Sequence, residues 1–109
     1  MASTFKNSVT GIIGTESHRV YVTPGSTTTT VIGLSVANIS SSGVEANVLM
    51  YANTSFQAHL IKSAPVPVGS ALVVIGGDQK VVLEAADEIR VSSSSAASLS
   101  AIVSVLEQT

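Results

Sequence analysis

The stretch PVPVGSALVVIGGDQKVVLEAADEIRV, residues 65–91, decides the fold. It holds three short apolar runs, which are Ala71–Ile75, Val81–Leu83 and residues 89–91. Turn-forming residues separate these runs, at Gly76-Gly77-Asp78 and at Ala85-Ala86-Asp87. Short β-branched runs between turn signals are typical of antiparallel strands. The stretch therefore predicts three strands of a β-sandwich, with a hairpin-type turn at Gly76-Gly77.

The same pattern extends over the rest of the chain. Further strands are predicted at residues 9–13, 18–22, 32–37, 44–51, 59–61 and 101–106. Apolar and small residues alternate with a period of two, and no period of 3.6 persists over ten residues. We expect an all-β fold, a two-sheet antiparallel sandwich of Greek-key or jelly-roll type with about eight short strands. A small barrel is the alternative.

The sequence also predicts where three segments lie in this fold. Pro65 and Pro67 place their segment on a sheet edge or a crossing between strands, because proline donates no ladder hydrogen bond. Residues 101–106 are apolar on both faces, which predicts a central strand or one with a covered outer side. The serine-rich residues 92–100 are interpreted as a surface loop.

The length of 109 residues predicts one domain. Residues 1–8 are polar apart from Phe5, and are interpreted as an N-terminal arm that frays or orders only against a partner. The sandwich domain is then residues 9–109. The start of the chain lacks the apolar segment of a secretory signal, so we expect synthesis and folding in a cytoplasm unless a longer precursor is trimmed.

The composition is unusual in its low charge. Charged residues make up 11% of the chain beside 45% hydrophobic residues, whereas about 25% charged is usual. A weakly charged surface rich in serine and threonine tends to associate, which favours a subunit of an assembly over a monomer with a neutral, hydroxyl-rich coat. The net charge of −2 and five scattered Lys and Arg residues disfavour nucleic-acid binding. No apolar run approaches the ~20 residues of a membrane span.

No motif for catalysis or metal binding stands out. Only His18 and His59 could act as a general base, and neither accompanies a G-x-S-x-G motif, so no enzyme and no cofactor are predicted. Four clustered acidic residues lack the calcium-loop pattern and are better explained as turn and surface residues; they are Asp78, Glu84, Asp87 and Glu88. Asp87 in particular is expected to bond to the backbone of its own turn. The chain has no cysteine for a disulfide or thiolate site.

Contact surfaces are the remaining possibility. Leu49 and Tyr51 fall on the nominally outer face of their strand, which indicates a covering loop or another chain. The predicted protein interface comprises Phe5, Tyr21, Leu49, Tyr51 and Phe56. The same aromatic rings are the only ones available to stack on sugars. Residues 38–40 (NIS) and 53–55 (NTS) match the glycosylation acceptor pattern, which matters only in a secreted eukaryotic protein.

Three segments resemble small virion proteins of tailed bacteriophages: APVPVGS at residues 64–70, VVLEAADEIRV at 81–91 and VSVLEQT at 103–109. The resemblance covers roughly residues 19–109, with SVANIS at 35–40 as a further match. Ala86 departs from the family pattern, which has glycine before the aspartate. A positive φ at that turn would strain Ala86.

The resemblance implies a non-catalytic β-sandwich subunit of a virion. The leading hypothesis is a decoration or cement protein on the outside of a phage head, with the major capsid protein or other virion proteins as partners and a homo-oligomer as its own state. Its location would be the virion, after synthesis in the host cytoplasm. The alternatives are a neck, tail or fibre component and a carbohydrate-binding module.

Overall fold

The computed structural model describes residues 3–52, 56–76 and 80–109. Within them the chain forms strands and connections, without a helix. The nine strands are β1 (Ser3–Ile13), β2 (His18–Val22), β3 (Thr28–Asn38), β4 (Val44–Ala52), β5 (Phe56–Val66), β6 (Ala71–Ile75), β7 (Val81–Leu83), β8 (Glu88–Ser93) and β9 (Leu99–Gln108).

The strands form two antiparallel sheets. Sheet A has the order β1-β9-β3-β6, and β7 also pairs with β3; sheet B has the order β2-β8-β4-β5. The predicted two-sheet antiparallel sandwich is confirmed. β6 and β7 both pair with β3, one after the other along the same edge. The described residues of β6 and β7 do not pair with each other, so the hairpin predicted around Gly76-Gly77 is wrong. Gly77 itself lies outside the described residues.

Alternation along each strand builds the core. On β9, Ala101, Val103 and Val105 are buried. Ile102, which lies between Ala101 and Val103 on the other face of the strand, is exposed. Val31 and Leu34 of β3 join them from the neighbouring strand, and Val48 of β4 belongs to the same cluster from sheet B. Each fully buried side chain of this size stabilises the fold by roughly 1.5–3 kcal/mol. β9 lies between β1 and β3, which confirms the prediction of a central strand.

The N-terminal segment differs from the expected arm. Residues 3–8 form the first half of β1 and pair with β9, from Ser3 opposite Gln108 to Ser8 opposite Val103. The Lys6 ammonium lies 3.0 Å from the Glu107 carboxylate, and the Ser8 hydroxyl donates to the Val20 carbonyl at 2.7 Å. The ladder and these side-chain bonds order a stretch whose polar composition gave little sign of a strand.

Two predicted edge and turn features are confirmed. Pro65 lies in β5, which is the edge strand of sheet B and pairs with β4 alone. The turn from β7 to β8 carries the chain from sheet A to sheet B, and Asp87 bonds to it as expected. Its Oδ2 accepts from the Glu84 backbone N–H at 2.9 Å. Ala86 has a φ of 71°, so this turn does require the left-handed conformation.

Candidate interaction surface

The outer surface of sheet A carries apolar side chains in two rows that run across the strands. Strand register aligns Phe5, Leu106, Thr30 and Val82 in the first row, and Val9, Ile102, Ser35 and Val73 in the second. Asn7, Ser104 and Gly33 lie between the rows. We call the surface formed by these eleven residues the uncharged face.

Large apolar groups on the uncharged face are open to solvent. Among the described residues ten large hydrophobic side chains are exposed, and five of them belong to this face; the most exposed of the five is Phe5 at 75%. The other four are Val9, Val73, Val82 and Ile102. Contiguous exposed apolar surface on a folded domain indicates a contact with another molecule.

No charged residue belongs to this face within the described strands of sheet A. Lys6 and Glu107 are in strands β1 and β9, but each is in register with the core-facing positions and they pair with one another. Lys80 and Glu84 come just before and just after β7. The face therefore has charge only at its margin, and its interior consists of apolar, hydroxyl and amide groups.

Two shallow depressions lie beside the middle row of Asn7, Ser104 and Gly33. One, of about 240 Å³, is lined by Phe5, Lys6, Asn7, Ile32, Ser104 and Val105. The other, of about 190 Å³, lies against Gly33, Ser35, Val73 and Ile102. Both are too open and too poor in polar groups for a small-molecule site, which needs concavity and convergent polar groups.

The outer surface of sheet B is different because its own side chains cover it. The Glu88 carboxylate, nearly buried, accepts from Arg90 Nε at 2.8 Å and lies 3.5 Å from Arg19 Nη1. The Arg90 guanidinium carbon lies 4.8 Å from the centroid of the Tyr51 ring, a cation–π contact. Leu49 stands in register with Arg90 and is only 9% exposed. We call these residues, Arg19, Leu49, Tyr51, Glu88 and Arg90, the ionic cluster.

The five predicted interface residues lie in four different places. Phe5 belongs to the uncharged face, and Phe56 is 78% exposed at the start of the edge strand β5. Leu49 and Tyr51 belong to the ionic cluster, where little of their surface is free. Tyr21 is half-buried and packs against the core. The structure does not bring these five together on one surface.

Tyr21 connects the two sheets instead. Its hydroxyl donates to Glu107 Oε2 at 2.5 Å and lies 2.9 Å from Thr29 Oγ1, both in sheet A. Burial, followed by the bond with Glu107, raises the pKa of Tyr21 to about 12. The same bond holds the pKa of Glu107 below its usual 4.5, against the opposing effect of burial. This arrangement ties β2 to β9, so its role is structural.

The other candidate residues also have structural partners. The Asn38 side-chain amide, buried, donates to the carbonyls of Ser42 and Val66 at 2.8 and 2.9 Å, so it is not an open glycosylation acceptor. Asn53 and Asp78 lie outside the described residues. His18 opens β2 and His59 lies in β5, both exposed. Across residues 3–52, 56–76 and 80–109 no three His, Asp or Glu side chains are grouped to hold a metal ion.

Sequence reasoning found Phe5 but missed the rest of the uncharged face. The available signal was the absence of polar alternation in ALVVI (Ala71–Ile75), VVL (Val81–Leu83) and the last strand. A strand that is apolar on both faces departs from the alternation of a core face and a solvated face that is common in antiparallel sheets. Which of them align on one surface depends on register across sheet A, and that is set by long-range pairing.

Comparisons with known proteins give one structural relationship. No protein-family model matches the chain, and no curated protein matches it. The fold is similar to that of a solved chain from work on Bacillus endospore appendages, described as a family of disulfide-linked pili. The TM-score is 0.60 with 10% sequence identity, and the match covers 98% of this chain and 88% of the other. The likeness shows a shared fold. Within the described residues no helix could span a membrane.

Proposed function

We propose that the chain is a non-catalytic structural subunit of a bacteriophage virion, which decorates or cements the outside of the head. The observation that carries the structural role is the uncharged face. It presents exposed apolar side chains from four strands on a folded sandwich, and such a surface favours contact with protein. The resemblance of residues 64–70, 81–91 and 103–109 to phage virion proteins directs the proposal to a virion.

Cementing depends on contacts that are individually modest. A subunit that covers a junction between shell proteins buries apolar and hydroxyl groups on both sides of it. Repeated copies multiply the effect, because each bound subunit holds neighbours that are already close. A surface without charge suits this role, since its contacts are little weakened by salt.

A neck, tail or fibre component of the virion is the second candidate, and the shared fold favours a fibre. The similar solved chain comes from pili described as disulfide-linked. This chain has no cysteine among its 109 residues, so these residues could not supply the disulfides of such a fibre. Contacts made by these residues would withstand reducing agents.

Copy number in purified particles distinguishes the candidates. Quantitative mass spectrometry of virions from a culture that carries the gene should find the chain in the head fraction, at a stoichiometry close to that of the major capsid protein. A few copies per particle, recovered with necks or tails, would instead support the neck, tail or fibre role. Absence from purified virions would overturn the virion proposal.

Binding to heads tests which surface is used. Recombinant protein is added to heads that lack it, and bound protein is measured after sedimentation. Phe56→Ser and Phe5→Ser remove the two most exposed rings and separate the β5 edge from the uncharged face. Val68→Ser, at an exposed turn, is the matched control. We expect at least one of the phenylalanine variants to lose binding while the control binds normally; equal binding by all three would exclude both rings as contacts.

A further inference from the structure

We propose that the uncharged face binds the same face of a second copy, forming a two-fold symmetric dimer in which the two A sheets pack against each other. This inference assigns that face to a second copy, so that a dimer would contact a phage head through another surface, such as the β5 edge with Phe56. It does not depend on the particle being a virion. The register of sheet A and the chemistry of the face support this dimer.

The register makes the face complementary to itself. A two-fold axis that runs parallel to the strands, midway between β9 and β3, places β9 of one copy over β3 of the other and β1 over β6 and β7. In the first row, Leu106 then lies over Thr30 of the second copy. In the second row, Ile102 lies over Ser35. Each bulky side chain of β9 thus meets a short one, which allows two sheets to interdigitate at about 10 Å.

At the margins of the face, apolar side chains meet apolar side chains. The axis places Phe5 over Val82 and Val9 over Val73, so the most exposed apolar groups cover one another. The same axis places Ser104 over Gly33, so the depressions of the two copies lie opposite each other. The three rows carry no charged residue, and Lys6 beside one depression is three strand spacings from its symmetry mate, so no like charges are brought together.

The size of the face limits the strength of the dimer. Four strands at about 4.8 Å spacing and five residues at about 3.4 Å rise give roughly 330 Å² per copy. Two copies bury on the order of 650 Å², which is below the usual lower limit for a stable protein interface. We therefore expect a weak dimer that forms at high protein concentration and dissociates on dilution.

Sedimentation equilibrium of the purified chain tests the dimer directly. The wild type should be a dimer at high micromolar concentration and dissociate at lower concentrations. Ile102→Asp should raise the dimer Kd by about 100-fold or more, because each dimer would bury two unpaired carboxylates. Ile102→Thr, which keeps a β-branched side chain, should raise it less. Val68→Asp is the control, since Val68 is exposed to a similar degree (54% against 51%) but lies in the turn after β5.

Cross-linking tests the orientation. The absence of cysteine allows single cysteines to be introduced at Val9 and Val73. The proposed axis places these two positions opposite each other, whereas each is displaced from its own symmetry mate by three strand spacings, about 14 Å along the sheet. A short bismaleimide should cross-link a mixture of Val9→Cys and Val73→Cys proteins much faster than either protein alone.

The outcomes separate this inference from the virion proposal. A wild type that stays monomeric at high concentration overturns the dimer, as does an Ile102→Asp protein that is folded by circular dichroism and still dimeric. Equal loss with Val68→Asp, or no preference for the mixed cross-link, also overturns it. A monomer that nevertheless binds phage heads would assign the face to a capsid partner and leave the virion role intact. A dimer that is absent from virions would support the dimer and overturn the virion proposal.

Discussion

The outer faces of sheets A and B are both formed by antiparallel strands, but their apolar side chains differ in how far they are exposed to solvent. On sheet B, Leu49 is covered within its own chain, beside Arg90 and a nearly buried Glu88. On sheet A, Ile102 occupies the comparable position on a central strand, yet half of its surface is exposed. Long charged side chains cover apolar surface well because their aliphatic parts lie along it. Within the described residues the outer face of sheet A carries no such side chains, so its apolar groups stay exposed in the single chain.

The comparison also separates intrachain stability from assembly. The ionic cluster consists of contacts that are complete in one chain, and its loss should appear in the free energy of unfolding. The uncharged face makes few contacts within the chain, and its loss should appear in association. Four predictions test this distinction between stability and association, from the largest expected change in the free energy of unfolding to the smallest.

The same substitution on the two faces should give the largest difference. Leu49→Asp places a carboxylate at a buried position and should lower the free energy of unfolding by about 3–5 kcal/mol. Ile102→Asp should change it by about 1 kcal/mol or less when measured where the chain is monomeric, since the new charge faces water. Urea denaturation followed by circular dichroism gives both values. Similar losses for the two variants would remove the distinction between the faces.

The link between the sheets should respond to pH in a defined direction. Tyr21→Phe should cost about 2 kcal/mol at pH 7, because the hydroxyl bonds to the Glu107 carboxylate. The folded pKa of Glu107 lies below its unfolded value of 4.5, so this stabilisation is present above pH 4.5 and is lost as the pH falls through the folded pKa. The folded pKa of Tyr21 is raised, so its contribution is present below pH 10 and is lost as the pH rises towards 12.

Urea titrations of wild type and Glu107→Gln across acid pH provide the measurement. The variant should show a smaller loss of stability between neutral and acid pH, since the group with the lowered pKa is gone. Glu16→Gln, at an exposed position of the β1–β2 connection, serves as the matched control. An acid dependence that is unchanged in Glu107→Gln would contradict the assignment.

The ionic cluster should contribute a smaller amount. Glu88→Gln removes the charge between Arg19 and Arg90 and should cost about 1 kcal/mol, a value reduced because both arginines are partly exposed. Part of this difference should disappear at high salt. Glu45→Gln, on the exposed part of the same sheet, should have no effect. If Glu88→Gln and Glu45→Gln have the same free energy of unfolding, the ion pairs of Glu88 do not contribute to stability.

The turn that joins the two sheets should give the smallest change, in the stabilising direction. Ala86 adopts a φ of 71°, which glycine tolerates better than alanine. Ala86→Gly should raise the free energy of unfolding by about 0.5 kcal/mol, after the greater flexibility of glycine in the unfolded chain is subtracted. Thermal unfolding of the two proteins measures it. A lower melting temperature would mean that the alanine side chain makes contacts that outweigh the strain.

Much of the fold could be predicted from local patterns. Val81–Leu83, the Asp87 turn and the Pro65 edge strand depend on near neighbours and are found as expected. The first half of β1 was missed because its order comes from pairing with β9, about a hundred residues along the chain. The uncharged face was missed for the same reason. Phe5 and Val82 are far apart in sequence, and only the register of four strands aligns them in one row.

The pairing of Ser3 with Gln108 has a practical consequence. The two ends of the described sandwich lie side by side at one corner of sheet A. A short peptide could join them, and a new opening at the exposed Val68–Gly69 turn would then give a circularly permuted chain with the same ladders. Any domain fused to either end would project from that one corner, while the opposite edge of the molecule, with β5 and Phe56, would stay clear. The sandwich is therefore suited to displaying a passenger protein from a single, known position.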